Sequence, residues 1–144
     1  MKLPFVKMQG IGNDFIILSP LLGSMPEKNL AKDKLKMISD RHFGIGADQI
    51  LIVKPCSSKD AMYEFKIINS DGNEVEQCGN GARCVVKFLL NINMLSVNRV
   101  TLKSKAGIVL ATILDDLNVS IEMTVPEFKP SDIGLKTELL KSKK

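Results

Sequence analysis

Gln77-Cys78-Gly79-Asn80-Gly81-Ala82-Arg83-Cys84, running on into Val85-Val86-Lys87-Phe88-Leu89-Leu90, decides how this chain is read. Ala82, Val85, Val86, Leu89 and Leu90 fall at the i, i+3, i+4, i+7, i+8 spacing of an α-helix. The spacing predicts a helix over about residues 79–92, and Leu89, Leu90 and Ile92 widen its stripe beyond one face. Cys78-Gly79-Asn80 then sits at the helix start, where backbone N–H groups are unpaired and the macrodipole is positive. Such an end favours a thiolate and binds a carboxylate. A free Cys is more often a small buried hydrophobe, but Gly79 and Gly81 allow close backbone approach to a ligand and tip Cys78 toward function. Cys84 lies six residues on, about 240° around the helix, and is expected in the core.

Strand signals surround this helix. Residues 3–9 and 14–19 predict two short strands around the break Gly10-Ile11-Gly12-Asn13, and residues 48–54 and 62–69 predict two more. Ser70-Asp71-Gly72-Asn73 is a turn by composition. Val100 and Leu102, then Val109, Ala111 and Ile113, then Val119, Ile121, Met123 and Val125 alternate as three further strands. Ser24-Met25-Pro26-Glu27 matches a capping box, so a second helix should end near Asp40, with Asn29 as an alternative start. The pattern predicts an α+β fold with the apolar helix packed inside a curved sheet. Residues 1–130 form the expected domain and 131–144 a polar, Lys-rich tail expected to lack packed structure over 136–144.

Composition excludes several function classes. The chain has 144 residues, 44% hydrophobic and 25% charged, as expected of a globular domain. Its net charge of +4 is mostly the tail, where Lys136, Lys141, Lys143 and Lys144 oppose Glu138. With no basic face, no Trp and one Tyr, nucleic-acid binding has little support. No apolar run is long enough for a membrane span or a signal peptide, which points to a cytoplasmic protein with reduced thiols. Three Cys and one His, with no C-x-x-C pair, make a poor zinc set. Gly44-Ile45-Gly46 and Gly10-Ile11-Gly12 both lack the third Gly of a dinucleotide fingerprint. Cys56 is expected in a loop without a role. His42 is expected to cap the preceding helix, although a Cys78–His42 hydrolase pair is conceivable. Asn13, Gln49, Asn69 and Asn80 are neutral donors and acceptors near turns and strand ends, a set that suits a zwitterion.

Four segments carry a resemblance: Phe5 to Phe15 (FVKMQGIGNDF), Asp40 to Gln49 (DRHFGIGADQ), Asn69-Ser70-Asp71-Gly72, and Gln77 to Cys84. In this order they resemble the N-terminal half of the diaminopimelate epimerase family over residues 3–135. The Cys-Gly-Asn-Gly piece alone is shared with proline racemase-like and phenazine-type isomerase-like proteins. The resemblance implies two similar halves, each a curved, mostly antiparallel sheet around a central helix, with the active site between them. It implies an isomerase in lysine and peptidoglycan precursor synthesis, converting LL-2,6-diaminopimelate to the meso form without pyridoxal phosphate, metal or other cofactor. Two cysteines would act on opposite faces of the α-carbon, Cys78 being one. Asn13, Gln49, Asn69, Gly79 and Asn80 would contact the substrate. The partner cysteine would sit on a missing C-terminal half, so residues 1–144 alone are expected to be inactive, and a homodimer is a further expectation. The competing readings are a folded half that only binds a ligand or partner, and a related isomerase acting on another small acid.

Overall fold

The computed structural model describes residues 3–26, 30–123, 125, 128–131 and 134. Eight strands form one sheet: β1 (Val6–Gly10), β2 (Asn13–Leu18), β3 (Gln49–Pro55), β4 (Tyr63–Asn69), β5 (Glu74–Val75), β6 (Arg99–Ser104), β7 (Gly107–Ile113) and β8 (Val119–Ile121). Helix α1 (Lys32–Ser39) lies between β2 and β3 in sequence, and α2 (Gly79–Asn91) between β5 and β6. The spatial order is β1-β2-β3-β4-β6-β7-β8, with β5 paired to the far end of β4. Most pairings are antiparallel; β2–β3 and β4–β6 are parallel, and their crossovers carry the two helices.

The sheet separates two apolar layers. Its inner face gives Phe15, Ile17, Leu51, Val53, Phe65, Ile67, Val100 and Leu102 to a core shared with α2. Its outer face gives Ile16, Leu18, Ile50, Ile52 and Ile68 to a smaller core under Leu35 of α1. The alternation along β2 and β3 buries both sets, so these strands read as continuous apolar runs. Helix α2 buries Gly81, Ala82, Cys84, Val85, Val86, Phe88 and Leu89, and it packs against both edge strands, β1 and β8. The sheet therefore curls around the helix. Gly81 makes the close approach possible: a Cβ there would lie 3.1 Å from Leu51 Cδ2. The helix closes at Asn93, whose φ of 57° lets Met94 N–H reach the Leu89 carbonyl at 2.9 Å.

The α+β architecture with a central helix is the one the sequence predicts, but several boundaries differ. The expected capping box at Ser24 does not start α1. The helix begins at Lys32 after Ala31, which makes no side-chain cap, and residues 27–29 lie outside the described residues. The capping serine is instead Ser19, whose Oγ accepts from Leu21 N–H at 3.2 Å at the head of a 3-10 turn, Pro20–Leu22. The last strand ends at Ile121. One further bond, Glu122 N–H to the Leu110 carbonyl at 2.9 Å, precedes the departure of the chain. Met123 turns toward Gln77 and Gly79, and Met123 and Val125 stay exposed. The short β5 was not foreseen. The tail expectation over 136–144 lies outside the described residues.

Candidate active site

Cys78 is the N-cap of α2, with extended backbone (φ −153°, ψ 105°). Its Sγ accepts from Gly81 N–H at 3.3 Å, and its carbonyl accepts from Ala82 N–H at 2.9 Å. The sulfur thus fills the place that a Ser or Asp oxygen takes in ordinary caps. It is half-buried, whereas Cys84 in the second turn is 3% exposed. Burial, and then the nearby Cys78, push the Cys84 thiol up to about 11, so it stays protonated in the core. Cys56 follows β3, with Ser58 Oγ at 3.3 Å and Glu64 Oε2 at 3.8 Å from its sulfur.

Strand register brings the amides to the same end of the sheet. Gln49 pairs with Phe15 across the parallel β2–β3 ladder and with Asn69 across β3–β4. Gln49 Nε2 donates to Asn69 Oδ1 at 2.8 Å, which leaves the buried Gln49 Oε1 with no protein partner. Asn13 opens β2 after the two-residue turn Ile11-Gly12, both in the left-handed region (φ 55° and 81°). This is the hairpin geometry that matches sheet twist, although Ile is a poor occupant of it. The turn delivers Asn13 to the helix start, where Cys78 Sγ lies 3.7 Å from Asn13 Oδ1 as donor to it. Gly10, at the end of β1, packs on the same first turn; a Cβ there would lie 3.5 Å from the Asn80 carbonyl. The Asn80 side chain is held along the helix, its Oδ1 accepting from Arg83. Gly79 faces Met123.

Four charged residues behind Asn13 were not foreseen as a unit. Arg41 donates to both oxygens of Asp14, at 3.0 and 2.7 Å, and to Asp48 Oδ1 at 2.8 Å. Lys7 Nζ adds a contact to Asp14 Oδ2 at 2.8 Å and donates to the Gly46 carbonyl. The two aspartates also exchange backbone bonds: Asp48 N–H to Asp14 Oδ1 at 2.9 Å and Asp14 N–H to Asp48 Oδ2 at 3.1 Å. Asp48 Oδ2 accepts from Asn13 Nδ2 at 2.9 Å. The Arg41 guanidinium, with Lys7, holds the Asp14 carboxyl far below the usual carboxylate range. The Asn13 amide, the Asp14 N–H and Arg41 likewise lower Asp48. The loop after α1 is closed by Asp40, whose Oδ1 accepts from the backbone N–H of His42 and Phe43 at 2.7 Å each. The His42 side chain lies exposed, and the cap expected from it is supplied by the Asp40 backbone N–H, which donates to the Lys36 and Met37 carbonyls at 3.2 and 3.3 Å.

The crevice behind Cys78, between Phe65, Ala82, Ile121 and Met123, offers about 10 Å³, scarcely one water. A larger hollow of about 590 Å³ lies between α1 and the outer sheet face, lined by Met25, Leu30, Ile52 and Ile68. It belongs to the opposite side of the sheet from the thiol and carries none of the site residues. A ligand at Cys78 therefore lies over the helix start, on the open rim of the lobe. Among the described residues no group of three His, Cys, Asp or Glu is placed to hold a metal, and no helix is long and apolar enough to cross a membrane.

Similarity to known proteins agrees with this geometry. The family model described as diaminopimelate epimerase matches residues 5–129. A curated diaminopimelate epimerase from Cupriavidus necator is 41% identical over 138 residues, 96% of this chain and 47% of that protein. One from Nitrosomonas eutropha is 41% identical over 133 residues, 92% of this chain and 48% of that protein. The chain thus spans about half the length of the curated relatives it matches. Among solved structures, a hydroxyproline epimerase from Agrobacterium vitis superposes with a TM-score of 0.64 at 19% identity, over 83% of this chain and 41% of that one. At that identity the likeness concerns the fold, which is the same sheet-around-helix half. By sequence, fold and the order of its motifs, this chain belongs to the diaminopimelate epimerase family.

Proposed function

We propose that residues 1–130 form one catalytic lobe of a cofactor-independent epimerase that converts LL-2,6-diaminopimelate to its meso form in the cytoplasm. The single observation that carries the reading is Cys78: a half-buried thiol at the start of α2, bonded by Gly81 N–H and faced by Asn13, in a chain of this family. As thiolate, Cys78 takes the α-proton from one face of the carbon. A thiol from a second lobe of similar design delivers a proton to the other face. The charge developing at the α-carbon and its carboxylate is met by the free N–H groups of the helix start at Gly79 and Asn80. Gln49, Asn69 and Asn13 offer the amide contacts that hold the substrate. The bond from Gln49 Nε2 to Asn69 Oδ1 at 2.8 Å fixes these two amides relative to one another.

Residues 131–144 lead, in this reading, toward the second lobe. Ile11 and Phe43, 86% and 92% exposed, stand on the two loops tied to Asn13, and Met123 borders the helix start. Exposed apolar residues of this kind suit a protein contact. A second copy of the chain is a further partner for this rim, and sedimentation over a wide concentration range reads it out: a dimer at high concentration supports it, monomer throughout removes it. For the reaction, the direct test supplies residues 1–144 with the C-terminal lobe of a family member and follows conversion of the LL to the meso isomer. Turnover that vanishes in Cys78→Ala supports the reading. Turnover that survives that substitution overturns it.

A further inference from the structure

We propose that Asp48 is a positioning residue, whose carboxylate fixes the Asn13 amide with its carbonyl oxygen turned to the Cys78 sulfur. The inference deepens the epimerase reading, and rests on it only for the importance of Cys78.

An asparagine amide is nearly symmetric in shape, and its two ends exchange by a half-turn about the last side-chain bond. What fixes the orientation is the partner. An ionised carboxylate only accepts. Asp48 Oδ2, 2.9 Å from Asn13 Nδ2, can therefore take the NH₂ end and repels the oxygen end. The other end of the amide, Oδ1, then meets Cys78 Sγ at 3.7 Å. A reversed Asn13 would set two acceptors against each other at Asp48 and bring N–H groups to the sulfur. The orientation therefore decides whether the sulfur faces an acceptor, which suits the thiol, or a donor, which suits the thiolate.

Asp48 is itself held on three sides. Asp14 N–H binds the same oxygen at 3.1 Å, Arg41 binds the other oxygen at 2.8 Å, and Asp48 N–H returns a bond to Asp14 at 2.9 Å. Asp14 and Asp48 each stand next to the start of a paired register, Phe15 with Gln49, so the parallel β2–β3 ladder sets their spacing. Arg41 and Lys7 neutralise the pair, and the carboxylates stay ionised through the range in which a thiol titrates. The sulfur thus has a defined donor, Gly81 N–H at 3.3 Å, and a defined acceptor, Asn13 Oδ1, the second imposed through Asp48.

The test reads the thiol and needs no turnover, so its failure is separable from failure of the epimerase reading. Iodoacetamide labelling of Cys78 is timed near neutral pH in the 144-residue chain. Asp48→Asn replaces the carboxylate by an amide that no longer dictates Asn13, and labelling should quicken by about 3- to 10-fold, the range set by one hydrogen bond. Asp48→Glu restores an acceptor-only partner and should return the rate toward that of the unsubstituted chain. The same Asp48→Asn change made in an Asn13→Ala background should have no further effect. An unchanged rate in Asp48→Asn overturns the proposal. So does an equal acceleration in the Asn13→Ala background, which would reveal loss of a negative charge acting at a distance. Protection of Cys84 reports whether each variant is folded. If Asp48→Asn is not, NMR of the Asn13 side-chain amide in the unsubstituted chain decides: protons shifted and protected from exchange support the proposal, and freely exchanging ones overturn it.

Discussion

Cys78 and Cys84 occupy the two kinds of ground that one helix offers. Cys84 faces the core, 3% exposed, and burial drives its thiol to about 11. Cys78, at the open start, has a backbone N–H on its sulfur and an amide oxygen beside it. Both are the same residue on the same apolar helix. What separates them is a rotation of about 240° and the ending of the hydrogen-bond ladder. The two settings differ by position alone, and the packed body of α2 holds its first turn against the sheet.

Catalysis should separate the two thiols most strongly. Residues 1–144 alone should give no measurable epimerisation, because the proposed reaction needs two opposed proton carriers and the chain offers one thiol at a helix start. In the reassembled enzyme, Cys78→Ala should lower kcat by on the order of 10²- to 10⁴-fold, the usual contribution of a positioned acid or base. Cys84→Ala should leave the chemistry in place and appear chiefly in the melting curve. A reversed pattern would exchange the roles assigned to the two thiols.

The body of the helix is tested by Leu89→Ala. Leu89 is fully buried between α2 and the sheet, and its truncation should cost about 2–5 kcal/mol of unfolding free energy, read by denaturant titration. A cost under ~1 kcal/mol would mean that the helix is not the centre of the core. Next in size is thiol labelling. With its thiol at about 11 in place of 9.0, Cys84 carries near neutral pH roughly a hundredth of the thiolate of a free cysteine. Iodoacetamide should modify Cys78 ahead of Cys84, and labelling of Cys84 in the folded chain should climb as pH rises toward 11. Faster labelling of Cys84, read by peptide mass, would reverse the contrast. The smallest effect is local. Ile11 holds φ at 55° in the hairpin turn with its side chain exposed. Ile11→Asn should therefore raise stability by about 0.5–1 kcal/mol, seen as a higher Tm.

Helix α2 and the β6–β7 hairpin were legible because their signals are local and periodic. Valines and leucines at helical spacing, and strict alternation across Val100–Leu102 and Val109–Ile113, leave few other solutions. The candidate thiol was legible for the same reason, since its helix start follows from the stripe behind it. The charged clamp was not. Lys7–Asp14 and Arg41–Asp48 are each seven apart, but the bonds that join these pairs into one clamp span 27 to 35 positions and exist because β2 and β3 run parallel in one register, which no window of sequence displays. The start of α1 was misplaced because Ser24-Met25-Pro26-Glu27 has the composition of a helix start, whereas the helix begins at Lys32 after Ala31, with no side-chain cap to mark it. Strand β8 stopped early although its alternation continues, because Met123 leaves the ladder to reach the helix start. The amides at 13, 49 and 69 form a set by their chemistry and by family likeness, but neither shows where they lie in space. The register of β2, β3 and β4 supplies the physical reason they reach the same end of the sheet, where Gln49 and Asn69 bond to one another.

The enclosure of α2 by both edges of the sheet also imposes an order of events on a ribosome. The helix is complete at residue 91, but one of the two strands that flank it, β8, spans 119–121. A nascent chain emerging between those points carries a finished apolar helix with one flank uncovered. The β4–β6 pairing, and the closing of β8 over the helix, couple segments distant in sequence and form slowly compared with local hairpins. Through that interval the uncovered apolar flank of the helix is open to aggregation.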